Sequence, residues 1–541
     1  MAGALKGIKV IDLSRILAGP WASQMLADFG AQVIKIERPN KGDDTRYWGP
    51  PFIKEKTSTQ PPQAAYFHST NRNKQSIAID IQHKTGQQII KDLVKNADVF
   101  IENFKVGALA RYGLDYPKLK LLNPNLIYCS ITGFGQTGPS SERAGYDAMI
   151  QGEGGLMSIT GVANGEPMKA GVALTDIMTG LYCSNAILAA LMARNHINKG
   201  QYIDIALLDV QVSTLANQGL NYLATGNNPK RQGNAHPNIV PYQTFNTSDG
   251  IIMLAIGNDT QFRKFCQLVE RPELADNPNF QTNEQRVINR ESLIEHLSNI
   301  LLSQPTAWWI NQLETLDIPC GPINTLQEVF NHSQIKHRNL VRKIPDNCSK
   351  QIYTIASPIN LSETPLQYRS ASPNLSEHCE KILSSELGYD SEKIQRLREK
   401  WCRQLMKKKR PYPADTLGLN ADGDPFQLVM SELTKPVHTN TILLLIAGLI
   451  MVITLWFSKK ANSVTKTEVN LSRQGEGIER FESSLIARKL VRGSLFLNTG
   501  VTKLIPERVI NSVKSRFENA NKLVYDKDGE AVSFDLIRAS V

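Results

Sequence analysis

Gly7-Ile8-Lys9-Val10-Ile11-Asp12-Leu13 opens the chain with a short, nearly unbroken apolar run. Ala18-Gly19-Pro20 and a helical stretch through Met25-Leu26 follow. A second apolar run, Val33-Ile34-Lys35-Ile36-Glu37, then ends at Arg38. Two strands joined by a helix can pair only in parallel, and strands this apolar are buried on both faces. The alternation continues with strand-like residues 76–81, a helix near 88–95, and strand-like residues 99–101 and 126–131. That pattern predicts an α/β fold with a Rossmann-like parallel sheet in a large domain.

Outward from this core, residues 174–193 form a long apolar stretch that reads as a buried helix. Residues 226–330 read as a smaller α+β unit that opens with Val240-Pro241-Tyr242 and a strand at 251–256. Residues 331–400 carry short strand and helix signals that return to the large domain of residues 1–225.

The charge is concentrated in a tail. Of a net +10, residues 401–541 hold 21 Lys and Arg against 14 Asp and Glu, while the first 400 hold 40 against 37. A nucleic-acid enzyme carries its basic charge on the folded body, so nucleic acid is not the expected partner. The seven cysteines are scattered and never spaced C-x-x-C, and no two-histidine motif appears. The expectations are reduced thiols and no metal. The residues before the first strand are too few for a signal peptide.

Residues 403–438 read as a linker, with a basic run at 407–410, four prolines, two glycines and three aspartates. Residues 436–458 contain no Asp, Glu, Lys or Arg, and 440–458 are apolar. A membrane helix needs about 20 apolar residues. Trp456-Phe457 and Lys459-Lys460 close the run as an interface would. The alternative is a core helix. Residues 459–541 form a basic tail with two amphipathic helical patterns.

Three motifs invite chemistry. Gly133-Phe134-Gly135-Gln136-Thr137-Gly138 is a literal G-x-G-x-x-G after a strand. Dinucleotide binding needs a helix to begin there, and Pro139-Ser140-Ser141 follows instead, so a structural loop is expected and no redox nucleotide. Gly152-Glu153-Gly154-Gly155 is either a tight turn or a ligand-facing loop. Asp176 is a lone carboxylate opening an apolar helix: either a residue placed to suit the helix dipole or a nucleophile kept ionised by that dipole.

Asp12-Leu13-Ser14-Arg15, Leu17-Ala18-Gly19-Pro20, Gly42-Asp43-Asp44-Thr45-Arg46, Asn71-Arg72-Asn73-Lys74, Glu102-Asn103-Phe104, Ala144-Gly145-Tyr146-Asp147 and the Asp176 segment resemble, in this order, the class III CoA-transferases (the CaiB/BaiF family). The resemblance covers about residues 4–395. Residues 231–245 and 257–262 look closest to the succinate/glutarate branch. It implies an interlaced homodimer, coenzyme A as a substrate, and Asp176 as the nucleophile that carries CoA as a thioester. It implies CoA contacts at Ala18, Arg38, Ile79, Asp80, Ile81, Gln82, Asn103, Phe104, Lys105, Arg111 and Arg143. It places Tyr66, Tyr146, His236 and a covering loop at Gly257 and Asn258 around the acyl group. Arg15 and Arg46 are expected to pair with the distal carboxylate of a dicarboxylic acceptor.

Two rival readings share the scaffold. An α-methylacyl-CoA racemase needs a second base where Tyr146 stands, and a silent membrane-tethered CoA-binding protein would not need Asp176. The tail resembles nothing in the family and is either an anchor or a fused segment. An anchored enzyme is expected to face the cytosol or an organelle interior. The resemblance alone implies mitochondria.

Overall fold

Within each central strand, neighbouring residues go to opposite buried faces. Val10, Val33, Val99 and Ile127 enter one apolar cluster, and Ile11, Ile34, Phe100 and Tyr128 enter another. A strand with two buried faces needs helices on both sides of its sheet. The computed structural model has that arrangement, and it describes residues 3–53, 62–345 and 351–397.

Six strands, β1 (Lys9–Asp12), β2 (Gln32–Glu37), β3 (Lys74–Ala78), β4 (Val99–Glu102), β5 (Ile127–Thr132) and β6 (Tyr202–Ala206), form one sheet in the order β3-β2-β1-β4-β5-β6. Every neighbouring pair is parallel. Because β1 and β4 are neighbours whose connections leave in opposite directions, their C-terminal ends open a crevice, the usual ligand position in such sheets. Asn103, just past β4, staples that crevice. Its Oδ1 accepts the Arg15 N–H at 2.9 Å, and its Nδ2 donates to the Arg15 carbonyl at 2.8 Å.

One face is covered by α1 (Ala18–Asp28), through Ala22 and Leu26, and the other by α2 (Lys84–Val94), through Ile89, Ile90 and Leu93. Between β5 and β6 lie the short α3 (Asp147–Glu153) and the 24-residue α4 (Leu174–Ile197). Cys183, Ile187, Ala190 and Leu191 of α4 join the α1 cluster. Among the described residues, α4 is the one helix long and apolar enough to cross a membrane. Its packing against α1 and the sheet accounts for one face of it, where a buried Leu or Ile stabilises by about 1.5–3 kcal/mol, while Tyr182, Met192 and Ile197 are exposed.

A second, antiparallel sheet of β7 (Tyr242–Asn246), β8 (Ile251–Ala255) and β9 (Cys320–Pro322) has its own core. Ile252 and Leu254 of β8 meet Phe262 and Phe265 of α5 (Asp259–Leu268), together with Leu297 and Trp309. Further on, α6 (Cys379–Ser385) returns Ile382 and Leu383 to the α2 side of the large sheet.

Several boundaries differ from the sequence reading, as where α4 runs on to Ile197, and two of them have a visible cause. The third strand is Lys74–Ala78 rather than 76–81, because the Asp80 carboxylate accepts the Gln82 N–H at 3.0 Å and turns the chain. The next helix then starts at Lys84 rather than near 88, because His83 caps it through the Thr85 N–H at 3.1 Å. Capping chemistry outweighs apolar periodicity at an edge. The linker at 403–438, the apolar run at 440–458 and the tail at 459–541 lie outside the described residues.

Candidate active site

Ala173, at the head of α4, offers no side-chain acceptor to the first turn. The free N–H groups there must be met from elsewhere, and Asp147 of α3 does so. Its Oδ1 accepts the Asp176 N–H at 3.2 Å, and its Oδ2 accepts from Gln151 Nε2 at 2.7 Å. Gln151 Oε1 in turn accepts the Ala170 N–H at 2.8 Å, and Thr175 Oγ1 donates to Gln211 Oε1 at 2.6 Å. The segment leading into Asp176 is therefore held at several points.

Glycines bring these elements together. A Cβ on Gly133 would lie 2.6 Å from the Cα of Gly145, so the 133–138 motif is a backbone crossing that sets Tyr146 and Asp147. No helix follows it until α3, which leaves no helix N-terminus for a pyrophosphate. A Cβ on Gly180 would lie 2.8 Å from the Ala18 carbonyl oxygen and 2.9 Å from Trp21 Cβ. The start of α1 thus abuts α4 one turn beyond Asp176. Gly154 presses on Gln211 in the same way, at 2.5 Å, whereas Gly152 and Glu153 are the exposed last residues of α3 and Gly155 turns the chain at φ 87°.

Burial and then the Asp147 carboxylate push the Asp176 carboxyl up to about 7. This corrects the expectation that the helix terminus keeps it ionised. The helix dipole favours the anion by about 0.3–1 kcal/mol, and desolvation beside a second carboxylate outweighs it. A carboxylate of higher pKa is also the better nucleophile when ionised. Tyr66 is pushed up to about 12, first by burial and then by Asp176, Asp147 and Asp43. Its hydroxyl therefore lies within electrostatic range of both the nucleophile candidate and the turn after β2. The edge of Trp48 meets its ring at 5.5 Å. Tyr146 precedes α3 and is exposed.

That turn carries the arginines. Asp43 is fully buried and paired with Lys35 at 2.9 Å. Asp44 stands between Arg15, at 2.6 Å, and Arg38, at 2.5 Å. Arg46 does not serve a substrate carboxylate. It is buried, forks onto Glu37 at 2.6 and 2.9 Å, donates to Gln63 and to the Pro373 carbonyl, and stacks on Phe67 at 3.7 Å. A guanidinium so committed belongs to the framework. Beneath lies a second buried pair, Asp12 and Lys74, at 3.1 Å. Burial raises Asp12, but Lys74 and Lys35 outweigh it and bring the carboxyl down to about 2.

Of the remaining expected CoA contacts, Ala18 opens α1, and Ile79, Asp80, Ile81 and Gln82 form the turn after β3. Phe104 N donates to Glu102 at 2.7 Å. Lys105 lines a cavity of about 330 Å³ with Glu102, Tyr128, Gln136 and Tyr202, on the β5 side of its loop. Arg111 is exposed over Tyr112, and Arg143 is paired with Glu153 at 2.7 and 2.8 Å. His236 stacks on Tyr242 at 5.2 Å beside the antiparallel sheet. Gly257 and Asn258 are exposed at the start of α5, where Asn258 Oδ1 accepts the Gln261 N–H at 2.9 Å. The sequence reading assigned no role to Asp147, Asp44, Gln151 or Trp48. The first two stood inside quoted motifs, where two adjacent acidic residues and an acidic residue after Tyr146 were the available signal.

The chain is 50% identical over 380 residues to the succinate–glutarate CoA-transferase of Agrobacterium fabrum, covering 70% of this chain and 95% of that one. It is 44% identical over 390 residues to the human succinyl-CoA:glutarate CoA-transferase, covering 72% and 87%. The crystal structure of a CaiB/BaiF family protein from Brucella suis, 49% identical, superposes with a TM-score of 0.64 over 71% of this chain and 100% of that one. The family model for CoA-transferase family III matches residues 5–379, which is well over half of the chain, and the chain belongs to that family of CoA-transferring enzymes.

Proposed function

We propose that this enzyme moves CoA from succinyl-CoA to a free dicarboxylic acid such as glutarate, with Asp176 as the covalent carrier. The observation behind this reading is the partly buried Asp176 carboxyl beside Asp147 at the head of α4, in a chain about half identical to succinate–glutarate CoA-transferases. The Asp176 carboxylate attacks the thioester carbonyl, and CoA leaves as thiolate to give a mixed anhydride. The thiolate attacks the aspartyl carbonyl, releasing succinate and leaving aspartyl-CoA thioester. The acceptor carboxylate attacks that thioester, and thiolate return to the new acyl group frees Asp176. Each step exchanges one carboxyl derivative for another, so electrostatic stabilisation of tetrahedral oxyanions and exclusion of water are the protein's tasks.

Residues 1–225 with 331–400 form the CoA-binding body, and 226–330 form the small domain that carries the Gly257–Asn258 loop and His236. Arg38, Ala18, Ile79–Gln82, Asn103, Phe104, Lys105, Arg111 and Arg143 form the CoA side. Arg15, Tyr66 and Tyr146 form the acyl side. The enzyme acts as a homodimer. Residues 440–458 anchor it in a membrane, with the body in the CoA-containing compartment.

Mass spectrometry of purified protein with succinyl-CoA and glutarate tests the reading. Glutaryl-CoA is the expected product, Asp176→Ala abolishes it, and hydroxylamine traps a hydroxamate at Asp176 in the wild type. Full exchange by Asp176→Ala would refute it.

A further inference from the structure

Asp44 divides its carboxylate between two arginines. Oδ2 accepts from Arg15 NH1 at 2.6 Å, and Oδ1 accepts from Arg38 NH2 at 2.5 Å. The three groups are part-exposed, with side-chain exposures of 36%, 32% and 47% for Arg15, Asp44 and Arg38. Among the described residues, the Arg15 guanidinium makes no other hydrogen bond. An isolated surface pair of this kind would carry little meaning, but this one stands on a built frame.

The backbone on the Arg15 side is held by Asn103 at both its N–H and its carbonyl. The next residue, Ile16, sits at φ 74°, a left-handed conformation that costs a β-branched residue about 1–3 kcal/mol. Its N–H meets both carboxylate oxygens of Asp43 at 3.3 Å. Asp43 itself is locked by Lys35 and caps the turn through the Thr45 N–H at 3.0 Å. Adjacent aspartates thus do two jobs: Asp43 fixes the strained turn that presents Arg15, and Asp44 orients the two guanidinium groups.

We infer that Asp44 is a positioning residue that couples the acceptor-carboxylate subsite at Arg15 to the CoA-phosphate subsite at Arg38, so that an anion at either one weakens binding at the other. This rests on the proposed reading of Arg15 and Arg38. The physical reason is charge sharing. One negative charge is divided between two positive ones, leaving a net single positive charge for two anionic ligands. When a phosphate engages Arg38, Asp44 is drawn to Arg15 and compensates the charge that a substrate carboxylate would use. Reciprocity requires the same factor in the other direction.

Calorimetry on the Asp176→Ala enzyme, which cannot form the covalent intermediate, tests the inference. Saturating CoA is expected to raise the glutarate Kd by about five-fold, at the low end of coupling between sites. The effect shrinks at high salt because the groups are part-exposed. Adding Asp44→Asn reduces it to below about two-fold, and adding Arg38→Gln does the same should the Asp44 variant fail to fold. Undiminished coupling in either variant overturns the inference. Arg15→Ala separates it from the underlying reading. Unaltered glutarate binding there removes Arg15 from the acceptor subsite, whereas weakened binding with coupling intact in Asp44→Asn refutes the coupling alone.

Discussion

A carboxyl group held near 7 is divided between acid and anion at neutral pH, and only the anion attacks a thioester. With Asp176 raised by burial and by Asp147, kcat/KM for succinyl-CoA is predicted to climb through an acid limb centred near pH 7. Asp147→Asn removes the neighbouring charge and should move that limb to lower pH; an unmoved limb would show that Asp147 does not set the Asp176 titration. The same shift acts on stability with a definite sign. A carboxyl whose folded pKa exceeds its unfolded value of 3.8 binds more protons when folded. Unfolding free energy therefore falls as pH rises from about 4 to about 7. Asp176→Asn is predicted to raise Tm at pH 8, by about 2 kcal/mol of stability, with no gain near pH 4. Thermal melts at both pH values check this. Arg46 is separated from Arg15 by a paired experiment. Arg46→Ala leaves Glu37 buried without its guanidinium and should cost about 3–5 kcal/mol. Arg15→Ala should leave Tm nearly unchanged and raise KM for glutarate more than for butyrate. Both residues were visible in the sequence as arginines within family motifs. Their opposite fates depend on which one Glu37, the last residue of β2, can reach.

At the scale of elements, the site depends on how closely α1 approaches α4. Gly180 allows the Ala18 carbonyl to come within a distance that no side chain tolerates. Gly180→Val is therefore predicted to cost about 1–3 kcal/mol through overpacking and to lower kcat, since it tilts the helix that carries Asp176. A Cβ on Gly321, in β9, would meet nothing within 4 Å, so Gly321→Ala should change neither quantity. Equal effects from the two variants in chemical denaturation and turnover would show that the α1–α4 crossing is not what positions the site. The apolar composition of α4 made the helix legible, but the expected burial holds for one face, with Tyr182, Met192 and Ile197 exposed. The Gly133–Gly145 crossing was not, because a G-x-G-x-x-G pattern records small residues without recording what approaches them.

At the scale of the whole chain, residues 1–400 and the basic tail make separable predictions. A chain ending at Trp401 is predicted to be soluble, dimeric and as active as the full chain, as size-exclusion chromatography and turnover would show. The full chain should resist alkaline carbonate extraction from membranes, and its release would rule out residues 440–458 as an anchor. The sequence by itself determined the parallel sheet and its helical cover, because strands apolar on both faces and separated by amphipathic helices have few other ways to bury their surface. The ordered motifs also determined the family and the candidate nucleophile. Only the tertiary structure decided the ionisation of Asp176, the framework role of Arg46 and the sharing of Asp44 between two arginines. Each of these depends on distances of a few ångströms between residues far apart in the chain. Desolvation and Coulomb energy change steeply over such distances, and a one-dimensional pattern does not record them.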